Sequence, residues 1–350
     1  MQDAVTSSRG ISMLDPANHA WTAFVDEHPD ATPFHHPSWI QLLADCYHFR
    51  PRVAAVLDGA GAIVAGVPVV EIGRGSRRRW VSLPFTDRCA PLVHGQAGAV
   101  TFARHLERTQ RELPLRSIEV RDRLAGADGW VVPQGYWHEL PLTTEPGELF
   151  TGFHKSRVRS LLRRAEREGV VVERGGSKGD LSEVFYGLHV STRKRLGVPV
   201  QPRRFFELLW DGMLARRLGF VLIARKGPSP IASAVFLASN GRVTYKFSAS
   251  DNRHARLGGT NAVLWEALQS SCRNGDRVFD FGRTDGSNAG LRAFKLGWGA
   301  REEPLAYTVL APRMPSSSRR RAHAGLASVI RRSPAWVVQS IGAVAYRYAA

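Results

Sequence analysis

Between Phe279 and Gly299 the sequence reads FDFGRTDGSNAGLRAFKLGWG, which sets a carboxylate (Asp280), a guanidinium (Arg283) and an ammonium (Lys295) in one short run. The Asp-Phe-Gly string matches the magnesium-holding tripeptide of protein kinases. That aspartate works only beside a Gly-rich loop, a strand lysine and a His-Arg-Asp loop. Here Gly73-Arg-Gly75-Ser-Arg-Arg lacks its third glycine and no Val-Ala-x-Lys strand occurs, so kinase chemistry is set aside.

Two other strings suggest chemistry and do not sustain it. Gly175-Gly-Ser177-Lys-Gly179 fits Gly-x-Ser-x-Gly, but a hydrolase elbow holds its serine on a tight turn in a parallel sheet. Here Asp180 reads as the N-cap of the following helix, which leaves Ser177 in a Gly-rich link. Twelve histidines include the pair His35-His36, yet none has metal-ligand spacing, and His138-Glu139 stands alone in a strand-like run. No metal is expected. Trp39, Trp210, Trp265 and Trp298 read as core or cleft residues.

Charge adds a different signal. The formal net charge of +17 implies an anionic partner: nucleic acid, a lipid surface or a phosphate-bearing substrate. One basic cluster is Lys155, Arg157, Arg159, Arg163, Arg164 and Arg167, interleaved with Val158, Leu161, Leu162 and Ala165 at amphipathic-helix spacing. Such arginines serve as a solvated helix face or grip a pyrophosphate or RNA backbone. From Pro312 to Ala350 there are seven arginines and no acidic residue. After the linker-like PRMPSSSRRR, the residues Leu326, Ile330, Val337, Ile341 and Val344 mark an apolar helix face, broken near Pro334. A basic amphipathic tail of this kind fits an anionic membrane surface, and equally a helix docked on the body.

The elements that must position these residues form a repeat. From Phe220 the run FVLIARKGPSPIASAVFLASNGRVTYKFSAS predicts three antiparallel strands. A helix buried through Leu264, Ala267, Leu268 and Ser271 follows. Then come the strand DRVFDF, a short helix around Leu291 and the strand PLAYTVL, giving β-β-β-α-β-α-β. The first half repeats this order with the hairpin PRVAAVLDGAGAIVAGVPVVEI, the strand RRWVSLPF, a helix from Val100 to Leu113 and the strand LRSIEVR. An α/β fold of two similar units, breaking near Glu145-Pro146-Gly147, is expected. The expected divisions are 1–146, 147–311 with the arginine-rich helix and the active site, and 312–350 as the tail.

A length of 350 residues suits two domains. Three separated cysteines, Cys46, Cys89 and Cys272, argue against disulfide or zinc frameworks. No signal-peptide core and no stretch of about 20 apolar residues is present, so a cytoplasmic protein, peripheral at the inner membrane face through its tail, is expected.

The order of elements, with a glycine-containing loop opening the helix after the third strand, resembles the GNAT acyltransferase fold. The motifs HHPSW, LPFTDRCAPLV, SRVRSLLRRAEREGV and above all FDFGR with LRAFKLGWG are similar to the FemAB-like branch, over Trp21 to Leu310. Members of that branch move aminoacyl groups from tRNA onto lipid- or nucleotide-linked muropeptides in peptidoglycan cross-bridges, and relatives acylate amines of other envelope or polysaccharide precursors. The resemblance implies tandem GNAT-like units with mixed, largely antiparallel sheets flanked by helices. It further implies that Asp280 and Arg283 orient the acceptor amine and that Lys295, after Phe294, steadies the oxyanion, helped by backbone near Phe247 and Ser248. The structural alternatives are an Asp280 that caps its turn, an Arg283 that neutralises it and a solvated Lys295.

In acetyl-CoA users of the fold a Gly-rich loop holds pyrophosphate at the helix N-terminus. Here Arg253-His-Ala-Arg256-Leu-Gly258-Gly259 departs from their spacing, and it offers either an anion nest or a plain Gly-rich start to the helix. No tightly bound cofactor is expected; the donor is aminoacyl-tRNA, or an acyl-CoA or acyl carrier. The expected partners are a lipid- or nucleotide-linked envelope precursor, tRNA, and the inner membrane surface through residues 312–350. A non-catalytic protein of the same fold, holding RNA or anionic lipid on its basic face, is the competing class.

Overall fold

The computed structural model describes residues 10–314, 330–334 and 339. Most of the basic segment 312–350, including the apolar positions Leu326, Val337, Ile341 and Val344, lies outside the described residues. Of that segment, Ile330 is buried and Arg331 donates to the Leu196 carbonyl at 3.4 Å. The described chain forms two compact units, one of residues 10–136 and 304–314, the other of residues 137–303 with 330–334 and 339. By contacts the first unit thus ends at Tyr136, ahead of Pro146, and regains Pro304 onward.

In the first unit, β1 (Ser12–Leu14), α1 (His19–Glu27) and α2 (Pro37–Tyr47) precede the hairpin β2 (Pro51–Leu57) and β3 (Ile63–Ile72), then β4 (Arg79–Val81), β5 (Leu92–Val93), α3 (Gly95–Glu112) and β6 (Ser117–Val120). Strands β2, β3 and β4 run antiparallel, and β6 returns parallel to β4 after α3. Valine-rich β2 and β3 suit a pleated surface buried on both faces, and Val53, Ala55 and Ile63 pack with Trp21, Val25 and Leu92. The third strand is shorter than RRWVSLPF, because Leu83 and Phe85 adopt positive φ (54° and 60°) on either side of Pro84. Ser82 then closes the gap between the parallel strands. Its hydroxyl donates to Cys89 O and accepts from Arg121 N.

β7 (Trp130–Pro141) leads into the second unit through α4 (Pro146–Gly152), a π-helical turn (Lys155–Arg159), α5 (Ser160–Arg167), β8 (Val170–Arg174), a second π-helical turn (Asp180–Phe185), α6 (Tyr186–Leu196) and α7 (Arg203–Gly212). The anticipated meander follows as β9 (Gly219–Lys226), β10 (Ser229–Ser239) and β11 (Arg242–Ser250). Then come α8 (Gly259–Arg273), β12 (Val278–Thr284), α9 (Ala289–Gly297) and β13 (Arg301–Leu310). The repeat is real: β9 to β11 are antiparallel and β12 returns parallel to β11, as β6 does to β4. The expected α8 face of Leu264, Ala267, Leu268 and Ser271 is buried. It meets Phe236, Phe279, Phe281 and Trp298 in the core of this unit.

One local expectation is corrected. Asp180 is not the N-cap; Ser177 is, its Oγ accepting from Asp180 N while the Asp180 carboxylate takes back Ser177 N and Oγ. This reciprocal capping box occupies the Ser177 hydroxyl and accounts for Gly-x-Ser-x-Gly without catalysis.

Candidate active site

Parallel strands diverge where their ladder stops, and the second unit has such a point. The β11–β12 pairing runs from Arg242 opposite Val278 to Thr244 opposite Asp280 and ends there, although both strands continue, to Ser250 and Thr284. The β10–β11 register also shifts between Val235 and Phe236, which insert Lys246 as an extra residue between Tyr245 and Phe247. A bulge of this kind bends its strand and re-aims backbone N–H groups. The result is a wedge between two strands with Asp280 at its base.

Alternation along β12 sends Phe279 and Phe281 to the α8 side and Asp280 to the other face. Asp280 is almost fully enclosed; its Oδ1 accepts from Gly282 N at 2.7 Å and its Oδ2 from Thr244 Oγ1 at 3.3 Å. Burial, then the Glu139 charge, pushes its carboxyl up to about 7 against the opposing pull of Arg242, the Gly282 N–H and Lys295. The turn-capping alternative for Asp280 is therefore met in part, in a carboxylate tuned to titrate near neutrality.

Lys295 is not a solvated helix lysine. The residue is buried, and Nζ donates to the carbonyls of Gly282 at 2.9 Å and Arg283 at 3.0 Å. Asp280 and Lys295 thus grip the Gly282 residue from its two polar groups, the N–H and the C=O, and fix the turn that carries the half-buried Arg283. Phe294 packs against Trp298 and the core beside them.

Around this pair lies a set of groups that the sequence reading left unconnected. His138, fully buried on β7, shares Glu302 with Arg292, which holds that carboxylate through two bonds at 2.6 and 2.9 Å. Burial and then the Lys295 charge lower the His138 imidazole, while Arg292 holds Glu302 below the usual carboxylate range. Glu139 is paired with Arg242 at 2.5 Å and takes the Trp137 indole N–H at 2.8 Å. Neutral His138 donates its Nε2 proton to the Glu302 carboxylate.

The second group of anticipated residues sits at the start of α8. A 3-10 turn (Asn252–Leu257) joins β11 to α8, and Asp251 caps it through Arg253 N. The same carboxylate is bound by the Arg253 guanidinium, which holds it well below the usual range, and by His254. Arg253 is therefore engaged locally, in an exposed pair of little energetic weight. Arg256 is exposed. α5 packs on this turn and on α8, which brings exposed Arg163 and half-buried Arg159 to the same side of the unit. Arg159 Nε is shut off from solvent with no acceptor among the described residues.

Gly258 and Gly259 have a packing reason as well as any role toward an anion. Gly258 has φ +76°, and a Cβ there would lie 2.5 Å from the Leu161 carbonyl; at Gly259 it would press on Ile231 at 3.0 Å. Gly258→Ala is accordingly expected to cost about 2–3 kcal/mol in urea unfolding, from left-handed strain plus the clash with α5. A loss under 1 kcal/mol would show that α5 gives way freely.

Residues 152–299 match the family described as acetyltransferase (GNAT) domain. No curated protein sequence matches the chain. Among solved structures, that of FemX is similar at 14% identity and a TM-score of 0.69, over 86% of this chain and 97% of FemX. L-PGS from Bacillus licheniformis is similar at 14% identity and 0.54, covering 91% and 99%. The C-terminal domain of a putative lysylphosphatidylglycerol synthetase from Agrobacterium fabrum follows at 13% and 0.53, covering 92% and 95%. At these identities the likeness is one of fold. Among the described residues, no helix is long and apolar enough to cross a membrane.

Proposed function

From a chain whose residues 152–299 match the acetyltransferase (GNAT) domain and whose fold is similar to that of FemX, we infer an N-acyltransferase acting on an amine of a cell-envelope precursor. The observation that carries this is the wedge itself: parallel β11 and β12 part at Asp280, with a bulge on one side and Lys295 on the other. The similar structures support the acceptor class, since one of them is described as a putative lysylphosphatidylglycerol synthetase, named for a lipid product.

The step joins the amine nitrogen to the acyl carbonyl carbon and breaks the bond from that carbon to the donor's oxygen or sulfur. Lys295 supports the oxyanion by exchanging one of its carbonyl acceptors for the developing charge. Asp280, titrating near 7, takes the first ammonium proton directly or through one water, and the second proton, shed by the nitrogen after attack, leaves on the donor's oxygen or sulfur. Arg283 holds an anionic group of the acceptor.

The exposed arginines Arg163 and Arg256 fit the phosphates of either donor, tRNA or coenzyme A. A scaffold without catalysis is the competing reading, favoured by the internal bonding of Asp280 and Lys295. Purified protein is to be offered aminoacyl-tRNA or acyl-CoA with lipid- and nucleotide-linked amines, and amide formation followed by mass spectrometry. Product with one donor class supports the enzyme and names the donor. Absence of product with every pair, while RNA or lipid still binds, supports the scaffold.

A further inference from the structure

At one end of the first unit's sheet, where β2 and β4 begin and β3 ends, Arg50, Arg52 and Arg78 surround a groove of about 270 Å³. The register builds it. Arg52 lies opposite Val69, Glu71 opposite Trp80, and Met13 opposite Ala54, so alternation brings Met13, Arg52, Val69, Glu71 and Trp80 to one face. The floor is apolar and closed, with Val69 and Trp80 only 1% and 3% exposed. The rim carries two large apolar side chains in solvent, Met13 at 39% and Leu113 at 37%.

The charge of this groove is not cancelled. Glu71, the acid that lines it, is taken by Arg78 at 3.0 Å and by the Trp80 indole N–H. Asp15 reaches Arg52 at 3.9 Å with both side chains more than half exposed, a pair of little strength. Arg78 also keeps a buried Nε–H with no acceptor among the described residues. Its carbonyl accepts from Arg116 N, which adds a further exposed arginine at the same sheet end. None of these residues belongs to the unit that holds the wedge, and the transfer chemistry has no use for them.

We propose that this groove seats the phosphoryl head of an anionic lipid at a bilayer surface. Arginines grip a phosphoryl oxygen through charge-assisted hydrogen bonds, and Met13 and Leu113 on the rim enter the acyl boundary beside it. A free phosphate leaves both apolar side chains in water. A nucleic acid needs an accessible ring on which to stack, and Trp80 is covered.

The test is vesicle sedimentation of the full chain, so that residues 312–350 contribute equally to every variant. With about 30 mol% phosphatidylglycerol in phosphatidylcholine, Arg50→Ala/Arg52→Ala is expected to weaken binding about tenfold. Met13→Asp/Leu113→Asp is expected to weaken it by a similar factor, and Arg216→Ala/Arg273→Ala, equal in charge but in the other unit, by less than about twofold. Thermal melting confirms that each variant is folded. If the arginine pair and its control lose binding equally, general attraction explains the result and the groove is not a site. Unaltered binding of the Met13/Leu113 variant would remove the insertion and leave no seat for a lipid. If inorganic phosphate binds the wild type at low millimolar concentration, is lost in the arginine pair, and vesicle binding does not change, the ligand is a soluble phosphoryl compound and the lipid source is overturned.

Discussion

Replacing Lys295 with methionine is expected to lower kcat/KM for acyl transfer by about 100- to 1,000-fold, the range seen when one donor to an oxyanion is removed. Methionine keeps the stem's length and apolar volume and deletes the charge. The variant is also expected to lose stability, because the carbonyls of Gly282 and Arg283 lose the ammonium that bonds them. Leaving a buried acceptor unpaired costs about 1–3 kcal/mol, so a loss of about 3 kcal/mol in urea unfolding is anticipated.

The two losses can be separated. If Lys295 only props the Gly282 turn, activity recovers at low temperature, where the variant is fully folded, and the effect falls largely on KM as the site loosens. If the ammonium meets the reacting carbonyl, the loss stays in kcat under conditions where every molecule is folded. A kcat within about threefold of the wild type under those conditions removes Lys295 from the chemistry.

Much of the frame was legible because it is written locally. The Gly/Pro turns after Lys226 and Ser239 and the apolar positions of α8 define the β-β-β-α-β-α-β order, and the structure has it. Asp280 and Lys295 were singled out from the sequence, with a solvated helix lysine as the alternative for Lys295, and it is this alternative that the structure removes. The helix pattern around Phe294 leaves open whether its lysine faces solvent, and the carbonyls of the turn after β12 decide it.

His138, Glu139, Arg242, Arg292 and Glu302 were missed for a different reason. His138 and Glu302 are 164 residues apart, and no periodicity within β7 or β13 says which strand will lie beside it. The strings that read most like chemistry, Asp-Phe-Gly and Gly-x-Ser-x-Gly, carry the least of the transfer signal by themselves. In the second, the serine and Asp180 spend their polar groups on a helix cap.

Asp280 gives the sharpest dependence on pH. Its carboxyl is raised from an ordinary 3.8 to about 7 in the folded chain, so between those values the native state holds a proton that the unfolded state has lost. Stability from this group is therefore complete below about pH 4, declines as pH rises, and is gone above about pH 7; a difference that size corresponds to about 4 kcal/mol. Asp280→Asn is neutral throughout. Its side-chain carbonyl can still accept from Gly282 N, and its amide can donate toward Thr244 Oγ1. The variant should lie within about 1 kcal/mol of the wild type near pH 4.5 and exceed it by about 2–3 kcal/mol at pH 8, after discounting for relaxation around the charge. Urea unfolding from pH 4.5 to 8.5 reads this directly. Comparison of the two proteins cancels Asp251 and Glu302, whose lowered values work in the opposite sense. A variant less stable than the wild type at pH 8 would mean that the carboxylate is held charged by Lys295 and Arg242, and that burial does not dominate. Activity should move the other way. Without its proton acceptor the variant should lose about 100-fold or more in kcat/KM together with the rising limb of the pH profile near 7. A protein that becomes more stable and inactive through the same substitution is what a carboxylate kept for transfer chemistry predicts, whereas a carboxylate kept only to cap its turn predicts that activity survives.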